Sequence, residues 1–225
     1  YKRQVDIGKL AGKPVVAVIT SMAQPLGTHI GNALEVKDAI DVLAGRTQGD
    51  LLEISLLLGS HMLVLAEKAK TLPEARAMLE NALSSGAGLR KLAEMIAAQG
   101  GDPRVVEDLS LLPQAAVKRV MRAETAGYLS AMDTTALGMA AQRMGAGRAK
   151  KSDMLDYSVG YVLHVRLGDE VTEDTPLATL YARNEAEAEE AEKAIRKALT
   201  IAGEKPPVPP LWDAVVTAEG ITYNR

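Results

Sequence analysis

The stretch Pro14-Val-Val-Ala-Val-Ile-Thr20 is a short run of apolar, mostly β-branched residues, and it decides the predicted fold class. Such a run predicts a buried strand, and its continuous apolarity favours a central, parallel one. After a loop, a helix is predicted from Asn32 to Ala44, with Glu35 placed three residues after Asn32 as in a capping box. A strand followed by helices indicates the closing part of an α/β domain.

Further helices are predicted in the first hundred residues, over Asp50–Ala69, Leu72–Leu83 and Leu89–Ala98. The first of these is apolar on more than one face, so we expect it to lie buried between layers. The segment Val5–Gly12 is typical of the last turns of a helix that closes on a glycine. We therefore expect that this sequence continues a longer one upstream.

The residue pattern changes after residue 101, from long helices to turns and short strands. Residues 102–114 are polar and rich in turn formers, and we predict a linker there, between the α/β part at 1–101 and a small α+β domain at 115–225. The strands predicted in that domain are Val117–Arg122, Gly127–Met132, Gly160–Leu167 and Pro176–Ala182. Its predicted helices are Thr134–Met144 and Asn184–Leu199.

Composition excludes several classes of function. The chain has 225 residues, 47% of them hydrophobic and 24% charged, as in ordinary globular proteins. It has no cysteine, which excludes disulfides, thiolate metal sites and a cysteine nucleophile. A net charge of −3 and 3% aromatic residues argue against a nucleic-acid partner. No run is apolar enough to span a membrane and no signal peptide opens the chain, so the cytoplasm is the expected location.

Local motifs for chemistry are few. Ser60-His61 lies in a predicted helix, where adjacent side chains point in different directions, so a packed histidine is expected. His164 is predicted on the exposed face of its strand. The best candidate site is the loop and helix from Gln24 to Asp38, because open α/β sheets bind ligands after the carboxyl ends of their strands. The amide groups that begin this helix could face an anion, or the segment could be a plain connection.

Several segments, in order along nearly the whole chain after Gln4, resemble the pyrimidine-nucleoside and thymidine phosphorylases. The matching segments are Gln24-Pro-Leu-Gly27, Gly31-Asn-Ala-Leu-Glu-Val-Lys-Asp-Ala39, Leu58-Gly-Ser-His-Met62, Ala98-Gln-Gly-Gly-Asp102, Ala126-Gly-Tyr128, Leu137-Gly138, Met144-Gly-Ala-Gly-Arg148 and Asp156 to Gly160. An ordered run of this length is more specific than any single motif.

The resemblance implies an enzyme, a pentosyltransferase that uses phosphate to cleave thymidine, uridine or deoxyuridine into the free base and a pentose 1-phosphate. It also implies a homodimer, an α/β domain and a C-terminal α+β domain with a hammerhead-like fold. The family's Lys-x-Ser-Thr-Gly-Gly phosphate loop has no counterpart in this sequence, and its base-binding residues belong to the N-terminal part of the family. We therefore assign no catalytic residue here and expect the 225-residue chain to be inactive alone.

One site of the family carries over to this sequence. Some bacterial members bind a potassium ion, and the matching positions here are Leu26, His29 and Asp38. The resemblance implies ligation by the main-chain carbonyls of Leu26 and His29 and by the carboxylate of Asp38. Members with this site commonly carry glutamate at the position of Asp38, which has the shorter side chain.

Two other functions remain open at this stage. Residues 115–182 also resemble biotinyl- or lipoyl-carrier modules, in which Lys150 or Lys151 would carry the group. Carrier lysines lie at a hairpin tip between small residues or methionine, so Ala149-Lys-Lys-Ser152 is a poor match. The other alternative is a purely structural module that shapes a cleft.

Overall fold

The computed structural model describes residues 1–224 of the chain. The helices are α1 Lys2–Leu10, α2 Asn32–Leu43, α3 Asp50–Leu65, α4 Leu72–Ser84, α5 Ala87–Ala98, α6 Thr134–Ala141 and α7 Glu185–Ala198. The strands are β1 Ala17–Thr20, β2 His29–Ile30, β3 Val117–Arg122, β4 Gly127–Met132, β5 Gly160–Leu163, β6 Glu170–Val171, β7 Pro176–Ala182, β8 Leu199–Ala202, β9 Trp212–Val216 and β10 Ile221–Tyr223.

Contacts divide the chain into two compact units, each made of separate segments. The first comprises Tyr1–Ser21, Val42–Lys91 and the chain from Pro209 onward, and the second comprises Met22–Asp41 and Leu92–Val208. We predicted a boundary along the chain, at residues 102–114, between two continuous segments. A division by spatial contacts does not test such a boundary, so it stays a prediction. In the structure, that segment forms two 3-10 turns, Pro103–Val106 and Leu109–Leu111.

The first unit contains a three-stranded sheet in the order β1-β9-β10. Strand β1 pairs antiparallel with β9, with Ala17 opposite Val216. The strand predicted from Pro14 to Thr20 is therefore present, but its predicted parallel pairing and central position are wrong for the described residues. The strand is also not buried as predicted, since Ala17, Val18 and Ile19 are half-buried and Thr20 is exposed. An apolar run does not identify the partner strand. Here the partner comes from about 200 residues further along the chain.

The helices of the first unit pack through a small apolar cluster. Leu52 and Leu56 of α3 contact Leu79 and Leu83 of α4. Helix α4 begins after Thr71, whose side-chain oxygen accepts a hydrogen bond from the Glu74 amide. The predicted helices in this region are confirmed, although α3 ends at Leu65, four residues earlier than predicted. The expected burial of α3 between layers is wrong for the described residues, since Met62 is 68% exposed.

The second unit contains two antiparallel sheets, in the orders β2-β5-β7-β3 and β6-β4-β8. Its core includes Tyr161, Leu180 and Ile195, all completely buried. The Tyr161 hydroxyl donates a hydrogen bond to the Leu137 carbonyl at 2.8 Å, and burial raises the pKa of this phenol. The predicted α+β class of the C-terminal part is confirmed, and three of its four predicted strands have the predicted bounds.

One strand and one α-helix of the second unit end earlier than predicted, for local reasons. The strand predicted to reach Leu167 ends at Leu163, because Arg166 and Asp169 form a turn with Gly168 at a φ of +86°. The helix predicted from Thr134 to Met144 is α-helical to Ala141 and continues as a π-helical turn.

Helix α7 shows the predicted amphipathic pattern. Ala191, Ile195 and Ala198 are buried, and the ion pair Glu189–Lys193 lies on the exposed side. The pair Glu192–Arg196 is half-buried and faces β3, where Glu192 also accepts a hydrogen bond from Arg119. Among residues 1–224, no helix combines the length and the apolarity that crossing a bilayer requires.

Candidate functional site

The loop predicted as the candidate site leads into the four-stranded sheet of the second unit. Strand β2 pairs antiparallel with β5, placing His29 opposite Val162. Just before β2, the Thr28 carbonyl accepts a hydrogen bond from the Leu163 amide at 2.8 Å. The main chain on both sides of His29 is thereby held in place.

Asp38 lies on α2 and is buried, with 3% of its surface exposed. Its Oδ1 atom is 3.5 Å from Nδ1 of His29, and the same nitrogen lies 3.0 Å from Oγ1 of Thr28. Burial lowers the pKa of His29, although the charge of Asp38 acts in the opposite direction. The site thus offers a buried carboxyl oxygen next to the main chain of the loop, and such oxygens are donors that hard cations prefer.

The Arg166 side chain lies against the same loop from a position 140 residues along the chain. Its guanidinium donates to the Pro25 carbonyl at 2.7 Å and to the Leu26 carbonyl at 3.4 Å. No local pattern in the sequence indicates this contact, since Arg166 follows a strand and its partners are main-chain atoms. Arg166 thus orients the carbonyls of the loop that also contains the predicted ligand Leu26.

The beginning of α2 is arranged differently from the prediction. The Asn32 side chain donates to the Ala146 carbonyl at 2.9 Å and does not cap the helix. Glu35 instead accepts a hydrogen bond from the amide of Gly31, at 3.3 Å. The Ala33 amide donates to the Tyr157 carbonyl at 3.0 Å. These amides have protein partners, so the suggested anion site at the helix start is not supported.

The remaining motif residues lie apart from this loop. Ser60 donates from Oγ to the Leu56 carbonyl at 2.6 Å, so it is not activated by the adjacent His61. Lys150 and Lys151 lie in the turn between the π-helical segment and β5, not between two paired strands. His164 is exposed, as predicted, and its Nε2 lies 2.7 Å from Oγ1 of Thr179.

Among residues 1–224, no group of three or more His, Asp or Glu side chains could hold a metal ion. The predicted potassium site does not require such a group of side chains, because two of its three ligands, Leu26 and His29, would bind through their main-chain carbonyls. Carbonyl and carboxylate oxygens are the donors that hard cations such as potassium prefer. The buried carboxyl group of Asp38 fits that chemistry, whereas the Leu26 carbonyl already accepts a hydrogen bond from the Arg166 guanidinium.

Residues 128–202 match the family described as the pyrimidine nucleoside phosphorylase C-terminal domain. This match defines the class of the α+β part of the second unit. The chain is 48% identical over 184 residues to a pyrimidine-nucleoside phosphorylase of Geobacillus stearothermophilus, and 49% identical over 184 residues to that of Bacillus subtilis. It is 43% identical over 198 residues to one from Staphylococcus aureus.

The chain belongs to the pyrimidine-nucleoside phosphorylase family. The alignments cover 82% of it for the first two relatives and 88% for the third. In the other direction, they cover 42% to 46% of the relatives, so the chain spans less than half of their length. The predicted resemblance is confirmed.

Proposed function

We propose that this chain is part of a pyrimidine-nucleoside phosphorylase, which transfers the pentose of thymidine, uridine or deoxyuridine to phosphate. The single observation that carries the proposal is identity of 43% to 49%, over more than four fifths of the chain, to three proteins with that name. The family resemblance also supports a homodimer, which gel filtration with light scattering would test.

The chemistry suggests which role this chain plays. Attack of phosphate on C1′ passes through a transition state with charge on the sugar and on the phosphate, which preorganised donors must stabilise. The sequence has no Lys-x-Ser-Thr-Gly-Gly loop. We therefore assign the described residues a supporting role, as the scaffold of the C-terminal part and one side of a cation site.

The test compares two proteins: the longest product of the gene that encodes this chain, and residues 1–225 alone. Phosphate-dependent release of thymine or uracil is expected from the first. The second should be more than tenfold slower, because each lost transition-state donor typically costs about 2.7–4 kcal/mol. Release that does not depend on phosphate would overturn phosphorolysis. Comparable turnover by the 225-residue chain would overturn the supporting role.

A potassium site at Leu26, His29 and Asp38 belongs to the same proposal. When bound, the ion would supply fixed positive charge beside the Asp38 carboxylate and tie α2 to the loop. The longest gene product should melt at a higher temperature in potassium chloride than in tetramethylammonium chloride at equal ionic strength. Asp38→Asn should abolish that increase, whereas Glu173→Gln, an exposed carboxylate of the same unit, should retain it. An equal response from both variants would contradict the site.

A further inference from the structure

A cavity of about 390 Å³ lies within the second unit, on the side of the four-stranded sheet where α2 begins. Its walls come from the first turns of α2, the segment 109–115, and strands β3 and β7. Cavities that hold small ligands usually measure about 300–1,000 Å³, so it is large enough for a small organic molecule.

The charged groups that line this cavity are two lysines, Lys37 and Lys118. No Asp or Glu of residues 1–224 lines it, and neither lysine forms a salt bridge with a carboxylate of that part of the chain. Nζ of Lys118 lies 5.7 Å from the centre of the Tyr181 ring, which is its opposite residue in the sheet. The cavity therefore presents positive charge without an internal counterion.

The neighbouring His164 responds to the same positive charge. Lys118 contributes to its lowered pKa, after burial as the larger cause. Asp38 and Asp41 lie on α2 with Lys37, and Asp108 and Asp156 lie two residues before the lining serines. Asp108 and Asp156 accept hydrogen bonds from the hydroxyls of Ser110 and Ser158 at 2.6 Å, within their own turns.

The remaining lining is mixed. Leu34, Leu109 and Leu112 form its apolar part, and Ser110, Gln114 and Ser158 are polar. The Gln114 side chain donates to the carbonyls of Leu109 and Leu112, at 3.3 and 2.8 Å, which fixes the segment that carries those leucines. A wall of leucines beside two ammonium groups suits a ligand with an anionic end and a less polar body.

We propose that this cavity binds a phosphate monoester of a small organic group, with the phosphate at Lys37 and Lys118 and the organic part against Leu34, Leu109 and Leu112. Two lysines match the charge of a phosphate monoester, which carries nearly two negative charges at neutral pH. This assignment does not depend on the proposed enzyme activity, since it rests on the cavity alone.

Isothermal titration calorimetry of the 225-residue chain tests the proposal with three probes: uridine 5′-monophosphate, uridine and inorganic phosphate. The monophosphate should bind at least tenfold more tightly than either of the other two. Equal binding of uridine would show that the phosphate is not recognised. Equal binding of inorganic phosphate would show that the organic group is not recognised. Either result would overturn the assignment.

Charge-removing variants locate the binding. Lys37→Gln and Lys118→Gln should each weaken binding of the monophosphate at least fivefold, and the double variant more than either. Lys197→Gln removes an exposed charge from α7, outside the cavity, and should leave the affinity within twofold of wild type. Circular dichroism confirms folding of each variant. Equal weakening by Lys197→Gln would show non-specific attraction and overturn the site.

Discussion

At the residue scale, two glycines allow the start of α2 to approach β5. A β-carbon added at Gly160 would lie 2.1 Å from the Ile30 carbonyl oxygen, and one added at Gly31 would lie 2.5 Å from that of Val159. Both residues have positive φ angles, +147° and +137°, which disfavour other side chains. The close approach places Lys37 and Asp38 of α2 beside the sheet that contains His29.

Gly160→Ala should destabilise the chain by at least about 2 kcal/mol, because it adds both a backbone clash and strain. Gly138→Ala is the matched control, since the added β-carbon has nothing within 4 Å and the residue lies within α6. That control should stabilise the chain by about 0.5–1 kcal/mol. Urea denaturation measures both, and similar effects from the two variants would contradict the close approach.

At the scale of elements, side-chain caps decide where the helices begin. Asn184 accepts a hydrogen bond from the Glu187 amide at 2.9 Å at the start of α7, and Asp133 accepts one from the Ala136 amide at 2.9 Å at the start of α6. Such caps satisfy amides that have no partner within the helix. Helix α7 then buries Ala191 and Ile195 in the core of the second unit.

Asn184→Ala should lower the free energy of unfolding by about 1 kcal/mol, since the Glu187 amide loses its acceptor. Asn184→Asp keeps an acceptor at that position and should retain most of the stability. Chemical denaturation followed by circular dichroism compares the three proteins. If alanine and aspartate had the same effect, the cap would not be the cause.

At the scale of the whole molecule, all three histidines have lowered pKa values, with burial as the largest cause. Nε2 of His61 is buried and has no hydrogen-bond partner among residues 1–224. A histidine in the unfolded chain takes up a proton at about pH 6.5, whereas the three histidines of the folded chain take one up at lower pH. The unfolded state therefore binds more protons as the pH falls through that range.

The stability of the chain should consequently fall when the pH is lowered from 7.5 to 5.5. Differential scanning calorimetry should show a lower melting temperature at pH 5.5. His61→Leu removes one of the three groups and should show a smaller difference between the two pH values. A melting temperature that rises on acidification would contradict the pKa directions.

The sequence by itself predicted most helices and strands, including the bounds of β3, β4 and β7, because their periodicity and turn residues are local signals. It also indicated the family, because segments that resemble its members occur in order along the chain. Only the tertiary structure decided that β1 pairs with β9, that Arg166 holds the loop carbonyls, and that Lys37 and Lys118 line one cavity. Each of these joins residues about 80 to 200 positions apart, and partner choice over such distances depends on packing that no local pattern encodes.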